Sequence, residues 1–369
     1  MIVVILGGYG NFGARIARAL IESSNIDLYI AGRHLSKATA LAEELGKKAY
    51  PIEVDIDSPS LTDELVSIKA ELVIHTAGPF QAQGYQVPFA VAKAGAHYID
   101  LADGRRYVCD FPSELNDVFK AINKVAISGA STVPGLSSAV IDQLSSGWKQ
   151  INSIEICIAP AQTAPRGIAT LEGVLSYCGM PIQVWEDGKW NTRFGWSDPK
   201  KVNFKRLSSR MGALCDIPDL ELFPARYSGI RTVTFSAALE VKVTQYALSF
   251  ISKMKQIGLF PEPKRLARLF NWGAGFLDFM GTSLGGMIVI IKGQDGTRVE
   301  SQRSWHIAAD DDLGPEIPCM AAILIARKIM SGEIKETGAY PAMGWLSLDD
   351  FKPEFEKWGM VTDTINNDE

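Results

Sequence analysis

Short β-branched runs alternate with amphipathic segments along the first part of the chain. Runs such as IVVIL, LYIA and ELVIHTAG predict strands, because strands covered on both faces are apolar throughout. The segment NFGARIARALIESS predicts a helix, since Ile16, Leu20 and Ile21 share one face. Regular alternation of strand and helix predicts an α/β fold with a doubly wound parallel sheet of the Rossmann type. We expect this domain to span residues 1–131.

The pattern changes near Thr132. Longer β-rich stretches follow, and GQDGT separates two alternating runs as a hairpin turn does. These features predict a second α/β domain with a mixed or antiparallel sheet over residues 132–312. Residues 313–369 begin with a predicted amphipathic helix, EIPCMAAILIARKIMSG, and end in TDTINNDE, which we expect to be a disordered tail.

Charge and residue spacing argue against a nucleic-acid binder and against a metalloprotein. The length of 369 residues favours two domains, and the net charge of 37 − 42 = −5 argues against a general nucleic-acid binder. The five cysteines and four histidines are scattered without metal-ligand spacing, so we expect no metal site. Scattered cysteines and the lack of a signal-peptide pattern in MIVVILGG favour a cytoplasmic protein.

One apolar stretch, from Leu269 to Ile291, has the length of a membrane span. Asn271 and Asp278 interrupt it, and its end is β-branched, so we expect a buried helix followed by a core strand rather than a span. Contact with a membrane surface is an alternative, because basic residues precede the stretch: Lys264, Arg265 and Arg268.

A glycine motif follows the first predicted strand and opens the first predicted helix. Gly8, Gly10 and Gly13 fit the spacing G-x-G-x-x-G, in the strand-to-helix context that dinucleotide binding requires. Gly8 allows a tight turn, Gly10 lets the backbone approach a pyrophosphate, and Gly13 lets helix and strand pack closely. The N–H groups at the helix start, at Asn11 and Phe12, then face the phosphates. A glycine-rich turn without a ligand is the alternative.

Arg33 stands at the end of the second strand, where an NAD-binding sheet carries an acid for the ribose 2′-OH. An acid would repel a 2′-phosphate, whereas a guanidinium binds one, so the sequence favours NADP. His34 and Lys37 are candidates to assist. A solvated surface arginine is the alternative interpretation.

Other polar or tight turns also follow predicted strands. Asp55 follows the third strand beside the expected adenine pocket, and the turn Ala77-Gly78-Pro79 follows the fourth, where it can lie against the cofactor ribose. For each of these positions, ordinary turn formation is the alternative.

Three residues are candidates for catalysis. Asp100 and Asp103 close the fifth strand near the expected nicotinamide end, where a carboxylate can shuttle a proton or anchor an amine. Arg166, in the second domain, is a candidate to hold a substrate carboxylate. Helix capping and a surface salt bridge are equally open interpretations of these residues.

Together these motifs resemble the saccharopine dehydrogenase-like family of reductases. The resemblance rests on the glycine motif, IAGR, HTAGPFQAQGYQVPFAVAKAGAHYIDLADG and STVPGLSS, and the rest of the chain looks like the family's bacterial branch through RGIATLEGVLSYCG and GGMIVIIKG. It implies a Rossmann domain, a mixed α/β domain and a C-terminal helix that returns to the Rossmann side. The family's cofactor positions match Gly8, Gly10, Gly13, Arg33, Asp55 and Ala77-Gly78-Pro79, and Asp100 matches a position near the nicotinamide.

The resemblance also implies NAD(P)-linked chemistry at a C–N bond. We therefore expect an NADP-dependent oxidoreductase that moves a hydride to or from an imine/amine bond of an amino-acid- or polyamine-like substrate, in a cleft between the domains. A non-catalytic NADP-binding regulatory or membrane-surface protein is one alternative, and an NADP enzyme that reduces an ordinary carbonyl is another. We expect a small-molecule substrate and no nucleic-acid partner, and a homodimer is left open.

Overall fold

The chain forms two compact units. The first combines Met1–Leu136 with Glu316–Leu346, and the second combines Ser137–Pro315 with Ser347–Glu369. This division differs from the expected boundaries, because a segment far along the chain completes the first unit and the last residues return to the second. The computed structural model describes residues 1–23, 25–165, 167–259, 267–297 and 299–368.

A seven-stranded sheet forms the centre of the first unit. Its strands are β1 (Ile2–Leu6), β2 (Asp27–Gly32), β3 (Ala49–Glu53), β4 (Leu72–His75), β5 (His97–Asp100), β6 (Val125–Ser128) and β15 (Gly338–Pro341). They lie in the order β15-β6-β5-β4-β1-β2-β3, and every neighbouring pair is parallel. The predicted Rossmann sheet is therefore confirmed, with β15 added at one edge.

The central strands of this sheet are buried on both faces, as the apolar run IVVIL predicts. Val3, Val4, Ile5 and Leu6 of β1 have no exposed surface. The helices of the unit are α1 (Asn11–Ile21), α2 (Leu35–Leu45), α3 (Leu61–Ser67), α4 (Gln86–Lys93), α5 (Arg105–Ala121) and α11 (Ile317–Met330).

Helix α11 packs against α1 within the first unit. Arg15 of α1 forms an ion pair with Glu316, which directly precedes α11. The Cys319 thiol donates to the carbonyl oxygen of Phe12 at 3.8 Å. The start of α1 is therefore held by residues that follow it by about 300 positions along the chain.

A mixed sheet forms the second unit, as predicted. Its strands are β7 (Gln150–Ala159), β8 (Pro181–Glu186), β9 (Lys189–Phe194), β10 (Lys200–Val202), β11 (Arg210–Leu214), β12 (Thr232–Ala237), β13 (Gly285–Gln294), β14 (Glu300–Ala309) and β16 (Val361–Asp368). The main path is β10-β11-β12-β7-β13-β14-β16, with β8 pairing with β12 and β9. Among these described strands the β12–β7 pair is parallel and the other pairs are antiparallel.

The predicted hairpin is formed by β13 and β14. One carboxylate oxygen of Asp295 accepts the backbone N–H groups of Thr297 and Val299, at 2.8 and 3.0 Å, which closes the turn. The helices of this unit are α6 (Ser137–Leu144), α7 (Ile168–Ser176), α8 (Asp219–Arg226), α9 (Lys242–Gln256), α10 (Ala267–Phe276) and α12 (Leu348–Lys357).

The chain end departs from the sequence expectation. Instead of a disordered tail, β16 pairs with β14 over eight positions, and Arg206 forms an ion pair with Asp363 at 2.6 Å. The expectation was wrong because the polar tail is ordered by pairing with a distant strand, which local composition does not reveal.

The apolar stretch after residue 268 divides as expected between a helix and a strand, but the helix is not buried. Leu269, Trp272 and Phe276 of α10 are all exposed, so the expectation of a buried helix was wrong. Strand β13 is the core strand that the pattern predicts. No described helix is long and apolar enough to cross a membrane. Lys264 and Arg265 lie outside the described residues.

Candidate functional site

The loops after β1 and β4 meet at the point where the strand order of the first sheet reverses. These strands are neighbours, and the chain leaves them in opposite directions across the sheet, to β2 and to β5. In open α/β sheets, ligands bind in the crevice at the carboxyl ends of such strands. The glycine motif and the turn Ala77-Gly78-Pro79 both lie at this crevice.

The glycine motif forms a tight turn against which α1 begins. Gly7 has a φ of +75°, and the N–H of Gly10 donates to the Gly7 carbonyl oxygen at 2.8 Å. A Cβ atom on Gly13 would lie 2.3 Å from that same oxygen. Only glycine therefore lets the first turn of α1 approach the end of β1 this closely.

The amino end of α1 is suited to hold an anion. Its N-cap residue, Gly10, has no side chain to accept the first N–H groups, and its first turn contains no acidic residue. The N–H groups of a first helical turn have no acceptor within the helix, and the helix dipole favours negative charge there. Asn11, Phe12 and Gly13 present their backbones at this end, which fits a pyrophosphate.

The loop after β4 packs directly on the glycine turn. The Thr76 hydroxyl donates to the carbonyl oxygen of Leu6 at 2.9 Å, and a Cβ atom on Gly7 would lie 3.1 Å from the backbone nitrogen of Ala77. Ala77, Gly78 and Pro79 are each half-buried. The two loops therefore form one continuous wall of the crevice.

Gln83 braces the turn that contains Ala77, Gly78 and Pro79. Its amide nitrogen donates to the carbonyl oxygens of Ala77 and Pro79, at 2.7 and 3.2 Å. Its amide oxygen lies 3.0 Å from Nε2 of His75. Because an amide oxygen can only accept, Nε2 carries a proton and donates it to this oxygen. Burial lowers the pKa of His75 to about 4, which keeps the ring neutral near pH 7. The sequence analysis did not identify Gln83. Its position in the segment GPFQAQG, after the turn, is the feature that could have identified it.

Arg33 lies directly after β2 with an exposed side chain. Within the described chain, its guanidinium makes no hydrogen bond and no ion pair. His34 and Lys37 are exposed beside it. The cluster is cationic, and the residues that end β2 and start α2 include no acid.

Tyr9 joins the glycine motif to this basic turn, and sequence reasoning missed it. Its hydroxyl oxygen accepts the backbone N–H of His34 at 3.0 Å. Its ring covers Gly32, where a Cβ atom would lie 2.5 Å from the ring. The sequence does offer a signal for this contact: Tyr9 stands between two glycines of the motif, and β2 ends in a glycine.

Asp55 has an exposed side chain just after β3. One of its carboxylate oxygens accepts the backbone N–H of Asp57 at 3.2 Å, an ordinary turn contact. The other carboxylate oxygen leaves acceptor capacity for a ligand hydroxyl, so the adenine-side role of Asp55 stays a prediction.

Asp100 is fully buried and ties the end of β5 to the end of β6. Its Oδ1 accepts the N–H groups of Ala102 and Gly129, at 2.9 and 2.8 Å, and the Ser128 hydroxyl at 3.0 Å. Its Oδ2 is buried without a hydrogen bond in the described chain. Burial raises the pKa of Asp100 to about 6, against the lowering effect of these hydrogen bonds.

The other two catalytic candidates are placed differently. Asp103 is exposed, and its carboxylate accepts the side-chain amide of Gln81 at 2.9 Å. Arg166 lies outside the described residues. The described structure therefore brings Asp100 and Asp103 to one sheet edge, with one carboxylate buried and the other in solvent.

Comparison with protein families matches residues 3–132 to the model described as "Saccharopine dehydrogenase NADP binding domain". A trans-acting enoyl reductase of Mycobacterium ulcerans (strain Agy99) is 30% identical over 102 residues, which is 27% of this chain and 24% of that protein. That of Mycobacterium tuberculosis (strain ATCC 25618 / H37Rv) is 32% identical over 102 residues, with the same shares. The matched part of the chain spans about a quarter of the length of these curated relatives.

Two solved structures share the fold along the whole chain. Apo saccharopine dehydrogenase (L-Glu forming) from Saccharomyces cerevisiae has a TM-score of 0.70 at 14% identity, covering 99% of both chains. Homospermidine synthase from Legionella pneumophila, in complex with NAD, has a TM-score of 0.60 at 11% identity, covering 100% of this chain and 93% of that one. At these identities the likeness establishes the fold.

Proposed function

We propose that the protein is an NADP-dependent oxidoreductase that transfers a hydride to or from a C–N bond of an amino-acid- or polyamine-like substrate. The premise is the match of residues 3–132 to the NADP-binding domain of saccharopine dehydrogenase. One observation carries the proposal. The glycine turn, the amino end of α1 and Arg33, which is unpaired within the described part of the chain, lie along one edge of the first sheet, as an NADP molecule requires.

The preference for NADP rests on charge. The Arg33 guanidinium, which has no partner among the described residues, offers a planar pair of donors to a 2′-phosphate, and no acid at the end of β2 opposes that phosphate. NADP, when bound, supplies the hydride or accepts it. We assign its binding to the glycine turn and strand-end residues: Gly8, Gly10, Asn11, Phe12, Gly13, Arg33, Asp55, Ala77, Gly78 and Pro79.

Three residues remain our candidates for the substrate side. Of the two carboxylates, that of Asp103 is exposed, so Asp103 is the candidate that moves a proton to or from the substrate nitrogen. Asp100, buried among backbone donors, is the candidate that positions the loop between β5 and α5. Arg166 is the candidate that holds a substrate carboxylate.

Chemistry at a C–N bond is favoured by the shared fold with saccharopine dehydrogenase and homospermidine synthase. A second candidate is reduction of a C=C bond in an enoyl substrate. It is favoured by the 30–32% identity, over 102 residues of this chain, to trans-acting enoyl reductases. Both reactions deliver a hydride to a trigonal carbon, so one nucleotide site serves either.

Parallel titration with NADPH and NADH tests the cofactor assignment. We expect the wild type to bind NADPH more tightly, and Arg33→Asp to lose that preference. Arg231→Asp is the matched control, since Arg231 is 66% exposed and lies in the other unit. Equal affinity for the two nucleotides in the wild type would contradict the NADP assignment.

A deuterium label then separates the two reactions. The protein and deuterated NADPH are incubated with each of three substrates in a separate reaction. The substrates are a 2-oxo acid with lysine, an aldehyde with a polyamine, and an enoyl thioester. Deuterium on the carbon bound to nitrogen supports imine reduction, and deuterium on the β-carbon of the thioester supports the second candidate. Unlabelled products from every substrate, in protein that binds NADPH, would contradict both.

A further inference from the structure

Helix α9 and the residue that follows it present four large apolar side chains to solvent, whereas Leu248 and Ile251 of the helix are buried. Val243, Tyr246, Phe250 and Ile257 follow one another at helical spacing, and each is between 51% and 62% exposed. Isolated exposed apolar residues are common on protein surfaces, but four large ones on a single helical face mark an interaction site.

The buried face of α9 carries polar residues that fix this orientation. The side-chain oxygen of Gln245, which has no exposed surface, accepts the N–H of Leu239 at 2.9 Å. The hydroxyl of Ser252, also fully buried, donates to the carbonyl oxygen of Gly195 at 2.7 Å. Rotating α9 to bury its apolar face would break both buried hydrogen bonds, so the outward apolar face belongs to the folded state.

Helix α10 repeats the arrangement. Leu269, Trp272 and Phe276 are spaced along one face, and each is between 58% and 65% exposed. The rings of Trp272 and Phe276 contact each other edge to face, with centroids 4.6 Å apart. Phe279, in the short turn that follows, is 84% exposed.

The two helices leave the sheet and return to it at the same place. Glu240, two residues before α9, accepts the backbone N–H of Thr282 at 3.0 Å and its hydroxyl at 2.8 Å. The same carboxylate accepts the N–H of Gln162 and pairs with the buried Arg210 at 3.6 Å. Glu240 thus joins the two ends of this part of the unit, and we refer to the described residues 240–259 and 267–282 as the α9–α10 lobe.

The lobe is basic in a chain that is acidic overall. Between residues 240 and 282 the sequence has six cationic side chains and three carboxylates, Glu240, Glu262 and Asp278, which gives 6 − 3 = +3, whereas the whole chain carries −5. The cations are Lys242, Lys253, Lys255, Lys264, Arg265 and Arg268. Of these, Lys242 and Lys253 are exposed on α9 along one border of its apolar face.

We infer that the α9–α10 lobe docks on the surface of an anionic lipid bilayer. Helices with an apolar face rich in aromatic residues and a basic border lie at the boundary between headgroups and acyl chains. Tyr and Trp favour that boundary, and lysines beside it bind anionic headgroups.

The local charge decides between a bilayer and a second copy of the chain. In a two-fold dimer built on this lobe, the same basic surface would face itself, and like charges would repel. An anionic bilayer neutralises that charge while it covers the apolar faces.

Vesicle co-sedimentation of the full chain tests the inference. Vesicles of phosphatidylcholine alone are compared with vesicles that contain about one-third phosphatidylglycerol, at low and at physiological salt. We expect sedimentation with the anionic vesicles, weakened by salt. We expect the double variant Phe250→Ser, Trp272→Ser to lower the partition coefficient by about tenfold or more.

Two matched controls distinguish binding through the lobe from non-specific adsorption of the protein to vesicles. Phe89→Ser with Trp190→Ser makes the same chemical change at exposed aromatics outside the lobe, and it should leave binding unchanged. Lys242→Glu with Lys253→Glu should weaken binding, whereas Lys200→Glu with Lys201→Glu, on exposed β10, should not. Circular dichroism and urea unfolding verify that each variant is folded.

Three outcomes would overturn the inference. One is an absence of vesicle binding by folded wild type. Another is binding that the lobe variants and their controls affect equally. The third is a dimer in light scattering that the Phe250→Ser, Trp272→Ser variant dissociates, which would assign the lobe to a second copy of the chain.

Discussion

The hydroxyl oxygen of Tyr9 accepts the backbone N–H of His34 at 3.0 Å, and so joins the glycine turn to the residue that follows Arg33. The loop proposed to bind the pyrophosphate and the turn proposed to bind the 2′-phosphate are therefore set relative to each other by one tyrosine. The ring of Tyr9 fills the space that Gly32 leaves by having no side chain.

Tyr9→Phe should weaken NADPH binding modestly. The variant keeps the ring over Gly32 but cannot accept the His34 N–H, and one such exposed hydrogen bond corresponds to about a two- to tenfold change in Kd. Fluorescence titration measures the effect, with NADH as the comparison because it lacks the 2′-phosphate. A larger loss for NADH than for NADPH would contradict the proposed role of this tie.

Gly13→Ala should both destabilise the first unit and reduce nucleotide binding. The new Cβ atom would lie 2.3 Å from a backbone oxygen, so α1 must move away from β1, at a cost of about 1–3 kcal/mol. Urea unfolding and NADPH titration measure the two effects. Gly314→Ala is the control, since a Cβ atom there meets nothing within 4 Å. Equal behaviour of the two variants would show that α1 does not depend on this close approach.

Gln83→Ala should loosen the turn formed by Ala77, Gly78 and Pro79. The change removes two donors from backbone carbonyls and leaves Nε2 of the buried His75 without its acceptor, which predicts a loss of about 1–3 kcal/mol in unfolding free energy. Thermal unfolding and NADPH titration are the measurements. Gln86→Ala, at an exposed position on α4, should change neither.

Asp100→Asn should be tolerated and should change how stability depends on pH. The amide keeps an oxygen where Oδ1 accepts its three hydrogen bonds, and it places its nitrogen at the unpartnered Oδ2 position. The pKa of Asp100 is raised from 3.8 to about 6, so the folded state binds the proton more tightly than the unfolded state. Protonated Asp100 therefore contributes about 3 kcal/mol to the free energy of unfolding below pH ~4. This contribution is lost as the pH rises to ~6.

Urea unfolding of Asp100→Asn and wild type at several pH values isolates this contribution, because His75 acts in the opposite sense. Its lowered pKa makes stability rise with pH between about 4 and 6.5. The variant should gain stability relative to wild type as pH rises from 4 to 7. A difference that does not change with pH would contradict the raised pKa. Retained NADPH binding with lost turnover would assign Asp100 a role in the reaction as well.

The sequence predicts the parts of the fold that local pattern determines. Strand β1 is apolar at every position because it is covered on both faces, and Gly13 is glycine because a backbone oxygen lies where its Cβ would be. By contrast, β15 is the four-residue segment GAYP, and it is a strand only because the edge of β6 accepts it. Strand β16 is ordered by β14 in the same way.

The site was predictable to the same extent. The glycine motif, Arg33 and the turn at Ala77 follow from spacing along the chain, but the bracing contacts of Tyr9 and Gln83 depend on side chains that meet only after folding. Helix α10 was expected to be buried because apolar residues usually are, and that expectation fails where Leu269, Trp272 and Phe276 face solvent.

The first unit takes α11 and β15 from residues 316–346, and this order has a consequence for synthesis of the chain. When the ribosome has made the span matched by the family model, residues 3–132, β6 is still an uncovered sheet edge and α1 still lacks the helix that packs on it. An uncovered edge invites pairing with other chains. The first sheet is therefore complete only after most of the second unit has been synthesised, which places its final strand and helix late in the folding of the chain.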